Sequence, residues 1–294
     1  MAQSARPRRS FLYMPGSNER ALDKGRNLDA DGLILDLEDA VAPDAKEGAR
    51  SQIIEALNSG GYGERELIVR VNALDTDWGR DDVSAMAKSG ADAILLPKVE
   101  SAAMVQDAEK LMTEAGAPDD LGIWCMMETP RGVLHAEEIA GASPRVGGFA
   151  LGLGDLAKDL HAAHTGDRLP VVTALGLCML AARAAGIAIL DGVHMNLEDG
   201  DGLEEACRRG REMGFDGKTL IHPKQLAAAN DAFGLTAEDV AYAKKIIAAF
   251  EEVQKEGKFV VLVDGKLIEV LHVEIAKREV AMAETIAALE ADLA

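Results

Sequence analysis

At 294 residues the chain can form one large domain or two smaller ones, and a hydrophobic fraction of 48% supplies an ample core. Aromatic residues make up only 4%, so that core must rest on Ala, Leu, Ile and Val. The net charge of −19 argues against a nucleic-acid surface, and no apolar run approaches membrane-spanning length.

The basic segment 1–9 is followed by no apolar stretch of signal-peptide type. From there, short apolar runs ending in polar residues recur at 11–14, 33–37, 67–71, 93–96, 123–127, 149–151, 187–190 and 219–221. Segments with helical periodicity lie between them, at 20–28, 46–57, 81–89, 102–114, 133–140, 172–185 and 203–213. Alternation of this kind predicts parallel βα units, and eight of them fit a closed (β/α)8 TIM barrel. The active site of such a barrel lies at the C-terminal ends of its strands. Here those ends carry Pro15-Gly16-Ser17, Glu38-Asp39, Arg70 and Asn72, Lys98, Glu128, Gly154-Asp155, Asp191 and His222. A barrel would bring them to one mouth.

In chain order, Ser17 is a candidate N-cap, and Arg20 and Lys24 lie four apart on the helix that follows. A turn entering a helix with two such cations can hold phosphate, or it is an ordinary loop with a solvated basic face. The run 33–41 gathers Asp36, Glu38 and Asp39 at its end, as a site or as an acidic turn. Arg70 sits inside an apolar strand and needs a buried anion, either a ligand carboxylate or a structural partner. Lys98 reads the same two ways. Glu128 and Asp155 end successive strands, and two carboxylates completed by waters and a ligand oxygen form a Mg²⁺ site. Taken singly, each is a cap or an ion-pair partner. Gly152 and Gly154 let backbone approach a ligand, but Ala157 breaks a dinucleotide fingerprint counted from Gly152. Cys125, Cys178 and Cys207 lack metal-ligand spacing and are expected as free thiols in a reducing cytoplasm. His161 and His164 have no third ligand nearby in sequence, and no Gly-x-Ser-x-Gly elbow is present.

After Pro223 the pattern changes to a long amphipathic helix, 237–255. Two strands follow, 259–263 and 266–270, around Asp264-Gly265, a hairpin turn signal. A last helix spans about 274–293. The expected organisation is a catalytic barrel over 1–228 and a C-terminal helix–hairpin–helix arm over 229–294, serving as a lid or for oligomerisation.

Several stretches together resemble the citrate lyase β-subunit-like group of the HpcH/HpaI aldolase family. They are Pro15-Gly16-Ser17, Leu35-Asp36-Leu37-Glu38-Asp39-Ala40-Val41, Arg70-Val71-Asn72, Glu128-Thr129, Gly154-Asp155-Leu156, Gly214-Phe215-Asp216-Gly217-Lys218 and Ile221-His222-Pro223, in order along nearly the whole chain. The resemblance implies a homotrimeric or homohexameric enzyme dependent on Mg²⁺, with Mn²⁺ as the alternative ion. Its substrate would be an acyl-CoA thioester of a small hydroxy-dicarboxylic acid, with CoA entering as part of that substrate. Within the group the chain is most similar to members that hydrolyse (3S)-malyl-CoA to malate and CoA. Retro-Claisen cleavage of malyl-CoA or citramalyl-CoA, and a citrate-lyase β-like subunit of a larger complex, are the alternatives.

By position, Glu128 and Asp155 resemble the metal ligands. Arg70 resembles the arginine that binds the small acid's oxygens, and Glu38 and catalytic Asp39 the acidic strand end that orients metal-bound water. Tyr13, Asn18 and Lys24 resemble the region holding the CoA nucleotide, although Asn18 stands where the lyases can carry a basic residue. Gly154, Ile221 and His222 would line the substrate. Glu269 resembles the arm aspartate that the lyases supply across a subunit boundary, with Asp264 as its rival. An extra methylene at that position moves the carboxylate by about a bond length, and errors near 1 Å can cost about 100-fold. This disfavours carbon–carbon chemistry and leaves room for water activation.

Overall fold

A computed structural model describes residues 6–293. Among these, eight parallel strands close into the expected barrel in sequence order: β1 (Ser10–Pro15), β2 (Gly32–Asp36), β3 (Glu66–Arg70), β4 (Ala93–Leu96), β5 (Gly122–Met127), β6 (Val146–Leu151), β7 (Ala188–Asp191) and β8 (Gly217–Leu220). β8 returns to β1, with Phe11 opposite Thr219. The connecting helices are α1 (Glu19–Gly25), α2 (Lys46–Ser59), α3 (Gly79–Met86), α4 (Ala102–Glu114), α5 (Pro130–Leu134), α6 (Ala136–Ala140), α7 (Leu153–Asp159), α8 (Val172–Ala185), α9 (Gly200–Met213) and α10 (Leu226–Phe233).

Successive side chains on a strand take opposite faces, and this alternation sorts the core into two layers. Phe11, Ile34, Ile68, Leu95, Trp124, Met126, Ala150 and Leu190 fill the barrel interior. Leu33, Leu35, Val69, Ile94, Cys125, Phe149 and Ile189 pack outward against the helices. The rings of Phe11 and Trp124 lie 5.8 Å apart inside the barrel. A Cβ at Gly32 would fall 2.2 Å from Phe11, and one at Gly148 would fall 2.6 Å from Trp124, so the strands yield their own side chains to these rings.

The same parity decides which strand-end residues reach the mouth. Tyr13, Asp36, Arg70 and Glu128 lie two residues beyond Phe11, Ile34, Ile68 and Met126 and therefore share the inward face. Asp191, expected at the mouth, follows inward Leu190 and faces the helices instead. There it is fully buried and accepts from Arg168 at 2.9 and 2.8 Å and from Lys218 at 2.8 Å. The triad pins β7 and β8 to the loop before α8.

The helix expected over 133–140 is two helices, for two local reasons. Thr129 caps the first by accepting from Gly132 N–H at 3.0 Å, and Pro130 occupies its first position, where a missing N–H is harmless. His135 breaks the run at φ −105°, ψ 15°, its Nδ1 lying 2.8 Å from the Glu100 carbonyl oxygen.

The barrel unit spans Arg8–Phe233, and a second compact unit consists mainly of Gly234–Ala294. In that unit, α11 (Ala237–Lys255) opens on a capping box between Thr236 and Asp239. The hairpin of β9 (Val260–Val263) and β10 (Lys266–Glu269) turns through Asp264 and Gly265, both at positive φ as this dipeptide favours. Val263 and Ile268 pack against Ile246 and Phe250 of α11 and Val273 and Ala276 of α12 (Val270–Leu293). The opposite face leaves Val260, Leu262 and Leu267 exposed. Among the described residues no helix is long and apolar enough to cross a membrane.

Candidate active site

Asp36 anchors the mouth. Its fully buried carboxylate accepts the N–H groups of Glu38 at 2.9 Å and Ala40 at 3.1 Å, and a bidentate pair from Arg70 at 2.7 and 2.6 Å. The buried anion that Arg70 requires is thus supplied by the neighbouring strand. The sequence pattern gave Asp36 no role of its own. The usable signal was register, which sets Asp36 opposite Arg70. Arg70 also lies 4.9 Å from the centre of the Tyr13 ring, and burial pushes the Tyr13 hydroxyl well above its ordinary pKa. Lys46 donates to the carbonyls of Leu37 and Glu38 at 2.8 and 2.7 Å and so fixes the acidic turn.

Glu38 belongs to the inward series. One carboxylate oxygen accepts from the Lys98 ammonium at 2.6 Å. The other lies 2.9 Å from Arg70 Nη1 but off the line of its N–H bonds, which leaves it buried without a hydrogen bond. Burial raises the Glu38 pKa against the pull of Arg70 and Lys98. An acceptor in this state suits a donor from water or from a ligand hydroxyl.

Glu128 is 2% exposed, and its Oε1 accepts the Lys98 amide N–H at 2.8 Å. Its Oε2 has no hydrogen-bond partner among the described residues. A Cβ at position 152 would stand 2.4 Å from that oxygen, so Gly152 is what allows the carboxylate to sit there. Burial, reinforced by the charges of Glu38 and Asp155, pushes the Glu128 carboxyl up to about 7. Asp155 lies in the first turn of α7, with Lys158 3.6 Å away.

No group of three or more His, Cys, Asp or Glu able to hold a metal occurs among the described residues. A hard cation that keeps several waters needs fewer protein ligands than that. A carboxylate with one free oxygen, pushed up chiefly by its burial and further by the charges of Glu38 and Asp155, fits such an ion.

The remaining candidates are scattered more widely. Tyr13 turns its ring inward onto Arg70, whereas Asn18 caps α1 by accepting from Ala21 N–H at 3.1 Å and Lys24 is exposed in the helix's last turn. Asp39 is exposed, 3.9 Å from Arg70. A Cβ at Gly154 would meet nothing within 4 Å, so its approach side is open. The N–H groups of Ile221 and His222 both point to Gln225 Oε1, at 3.0 and 3.3 Å, and Gln225 donates in turn to the His194 carbonyl at 2.9 Å. Gln225, 2% exposed, ties the loops after β7 and β8 together and was not singled out from sequence. In the second unit Glu269 is exposed, its backbone N–H donating to His272 Nδ1 at 3.0 Å. Asp264 is paired with Lys245.

Comparison with known proteins adds a family. The model of the HpcH/HpaI aldolase/citrate lyase family matches residues 9–223. A (3S)-malyl-CoA thioesterase of Cereibacter sphaeroides is 52% identical over 291 residues, covering 99% of this chain and 100% of that protein. The citrate lyase subunit beta of Escherichia coli is 36% identical over 272 residues, 91% of this chain and 90% of its own. Among solved structures, CitE of Mycobacterium tuberculosis in complex with magnesium, acetoacetate and coenzyme A superposes with a TM-score of 0.75 at 27% identity, over 94% of this chain and 97% of that one.

Proposed function

The chain belongs to the HpcH/HpaI aldolase/citrate lyase family, and within it we propose a Mg²⁺-dependent thioesterase that hydrolyses (3S)-malyl-CoA to malate and CoA. The observation that carries this reading is the 52% identity, across 99% of the chain, to a (3S)-malyl-CoA thioesterase. Glu128 and Asp155 are the proposed metal ligands, with Mn²⁺ able to replace Mg²⁺ on oxygen donors. Glu128 and Asp155 would hold the ion, which would supply Lewis-acid polarisation of the substrate's oxygens.

The chain's own residues do the rest. Arg70, held rigid by Asp36, neutralises carboxylate or developing oxyanion charge. Glu38 and Asp39 orient water at the acidic strand end. Gly154, Ile221 and His222 line the acyl group, and Tyr13, Asn18 and Lys24 lie along the path to the CoA nucleotide, where an exposed Lys24 suits phosphate. Glu269 from a second copy of the chain serves as general base, because its carboxylate is exposed while that of Asp264 is engaged by Lys245. The water oxygen bonds to the thioester carbon, the C–S bond breaks, and the thiolate leaves to be protonated as CoA. The apolar face of the arm, with Val260, Leu262 and Leu267 exposed, suits burial in a homotrimer or homohexamer. Three free, buried cysteines suit a reducing cytoplasm.

Product analysis tests the reading. Purified protein is incubated with malyl-CoA and Mg²⁺, free thiol and malate are quantified, and any glyoxylate is trapped with phenylhydrazine. Equal amounts of CoA and malate are expected, with reversible loss of turnover on chelation. Stoichiometric glyoxylate and acetyl-CoA without malate would make the protein a lyase.

A further inference from the structure

Lys98 follows β4 and Pro97 with φ +49°, a left-handed backbone that lysine rarely adopts. In that conformation one residue addresses two acids that follow different strands, β2 and β5. Its amide N–H donates to Glu128 Oε1 at 2.8 Å, and its ammonium donates to Glu38 Oε1 at 2.6 Å. Packing does not explain the lysine, since its side chain is 41% exposed. A left-handed position with no other duty accepts glycine at less strain. Gly152 leaves Glu128 its room on the other side, and Glu38 keeps its second oxygen buried without a hydrogen bond. Strain that persists where two site carboxylates meet points to a positioning role.

We infer that Lys98 is a positioning residue: its left-handed turn fixes Glu128 through the backbone, while its ammonium holds Glu38 with the free oxygen available to water or substrate. The inference deepens the thioesterase reading and depends on it only for the kinetic assay.

Three variants separate the two grips. Lys98→Gly keeps the backbone and its N–H but loses the ammonium. Its Tm should equal or exceed that of wild type, while kcat for malyl-CoA falls about 10- to 100-fold, the size expected of a misplaced group. KM should change by less than about threefold, which separates positioning from binding. Lys98→Arg should recover most of kcat. Unchanged kcat in Lys98→Gly would overturn the inference, as would a loss that tracks a lowered Tm and is not rescued by arginine.

A crystal structure of Lys98→Met decides the matter without substrate. The Glu38 carboxylate should leave its wild-type place or split between conformers, and a Glu38 that stays put overturns the inference. Wild type that leaves malyl-CoA intact would defeat the thioesterase reading alone, with this structural comparison still deciding Lys98.

Discussion

Glu128 carries the most informative charge in the site. Burial pushes its carboxyl up to about 7 in the folded chain, against an ordinary value of 4.5. Below pH 4 both states are protonated and the group has no effect on stability. Between these two values the unfolded chain ionises first, so folding loses stability as pH rises; above 7 the penalty is constant, on the order of 3 kcal/mol. Glu128→Gln removes the charge and keeps an oxygen for the Lys98 N–H. The metal-free variant should therefore melt above metal-free wild type at pH 8, with the difference vanishing towards pH 4, and it should lose turnover. Scanning calorimetry at the two pH values checks this, and equal melting at pH 8 would mean that the buried charge carries no penalty. Arg70 is a poorer probe. Truncating it leaves Asp36 buried and unpaired, a loss of about 3–5 kcal/mol that would report folding before chemistry. The need of Arg70 for an anion was legible in sequence. The identity of that anion was not, because it depends on the register of strands 34 residues apart.

At the scale of elements, the eight strands were legible because each is a short apolar run closed by polar residues, and Asp264-Gly265 announced the hairpin. What escaped was set by neighbours in space. Strand parity, visible only once strand ends are fixed, turned Asp191 away from the mouth and towards Arg168 and Lys218. The break at His135 depends on a carbonyl from the loop before α4. Strand pattern pointed to Glu128 and Asp155 as candidates, but nothing in it revealed Gln225, whose side-chain bonds join two loops. The hairpin also carries a prediction. If Glu269 works in the site of a neighbouring copy, an Asp155→Asn chain and a Glu269→Gln chain should each be nearly inactive alone. Co-expressed one to one, they should regain activity at roughly a quarter of the sites, the share in which both residues are intact. Verified mixed oligomers that stay inactive would place Glu269 in the site of its own chain.

At the scale of the whole molecule, a strongly acidic chain gathers its proposed site in a small inward cluster, where Arg70, Lys98 and Lys46 offset Asp36, Glu38 and Glu128. The barrel sets these groups, Lys46 of α2 excepted, at the ends of β2 to β5, and the outward layer holds the Arg168–Asp191–Lys218 triad. Composition argues against nucleic acid as a partner, and alternation could give the barrel. The choice between hydrolysis and carbon–carbon cleavage lies below the resolution of pattern, because both readings call on the same proposed metal site, the same proposed arginine and the same thioester. It turns on whether water attacks the thioester carbon. Turnover of malyl-CoA in oxygen-18 water with Mg²⁺, followed by mass spectrometry of the products, tests that step most directly. Malate carrying one oxygen-18 in the carboxylate released from the thioester is expected, in amounts equal to free CoA. Acetyl-CoA with glyoxylate, and no labelled malate, would contradict it.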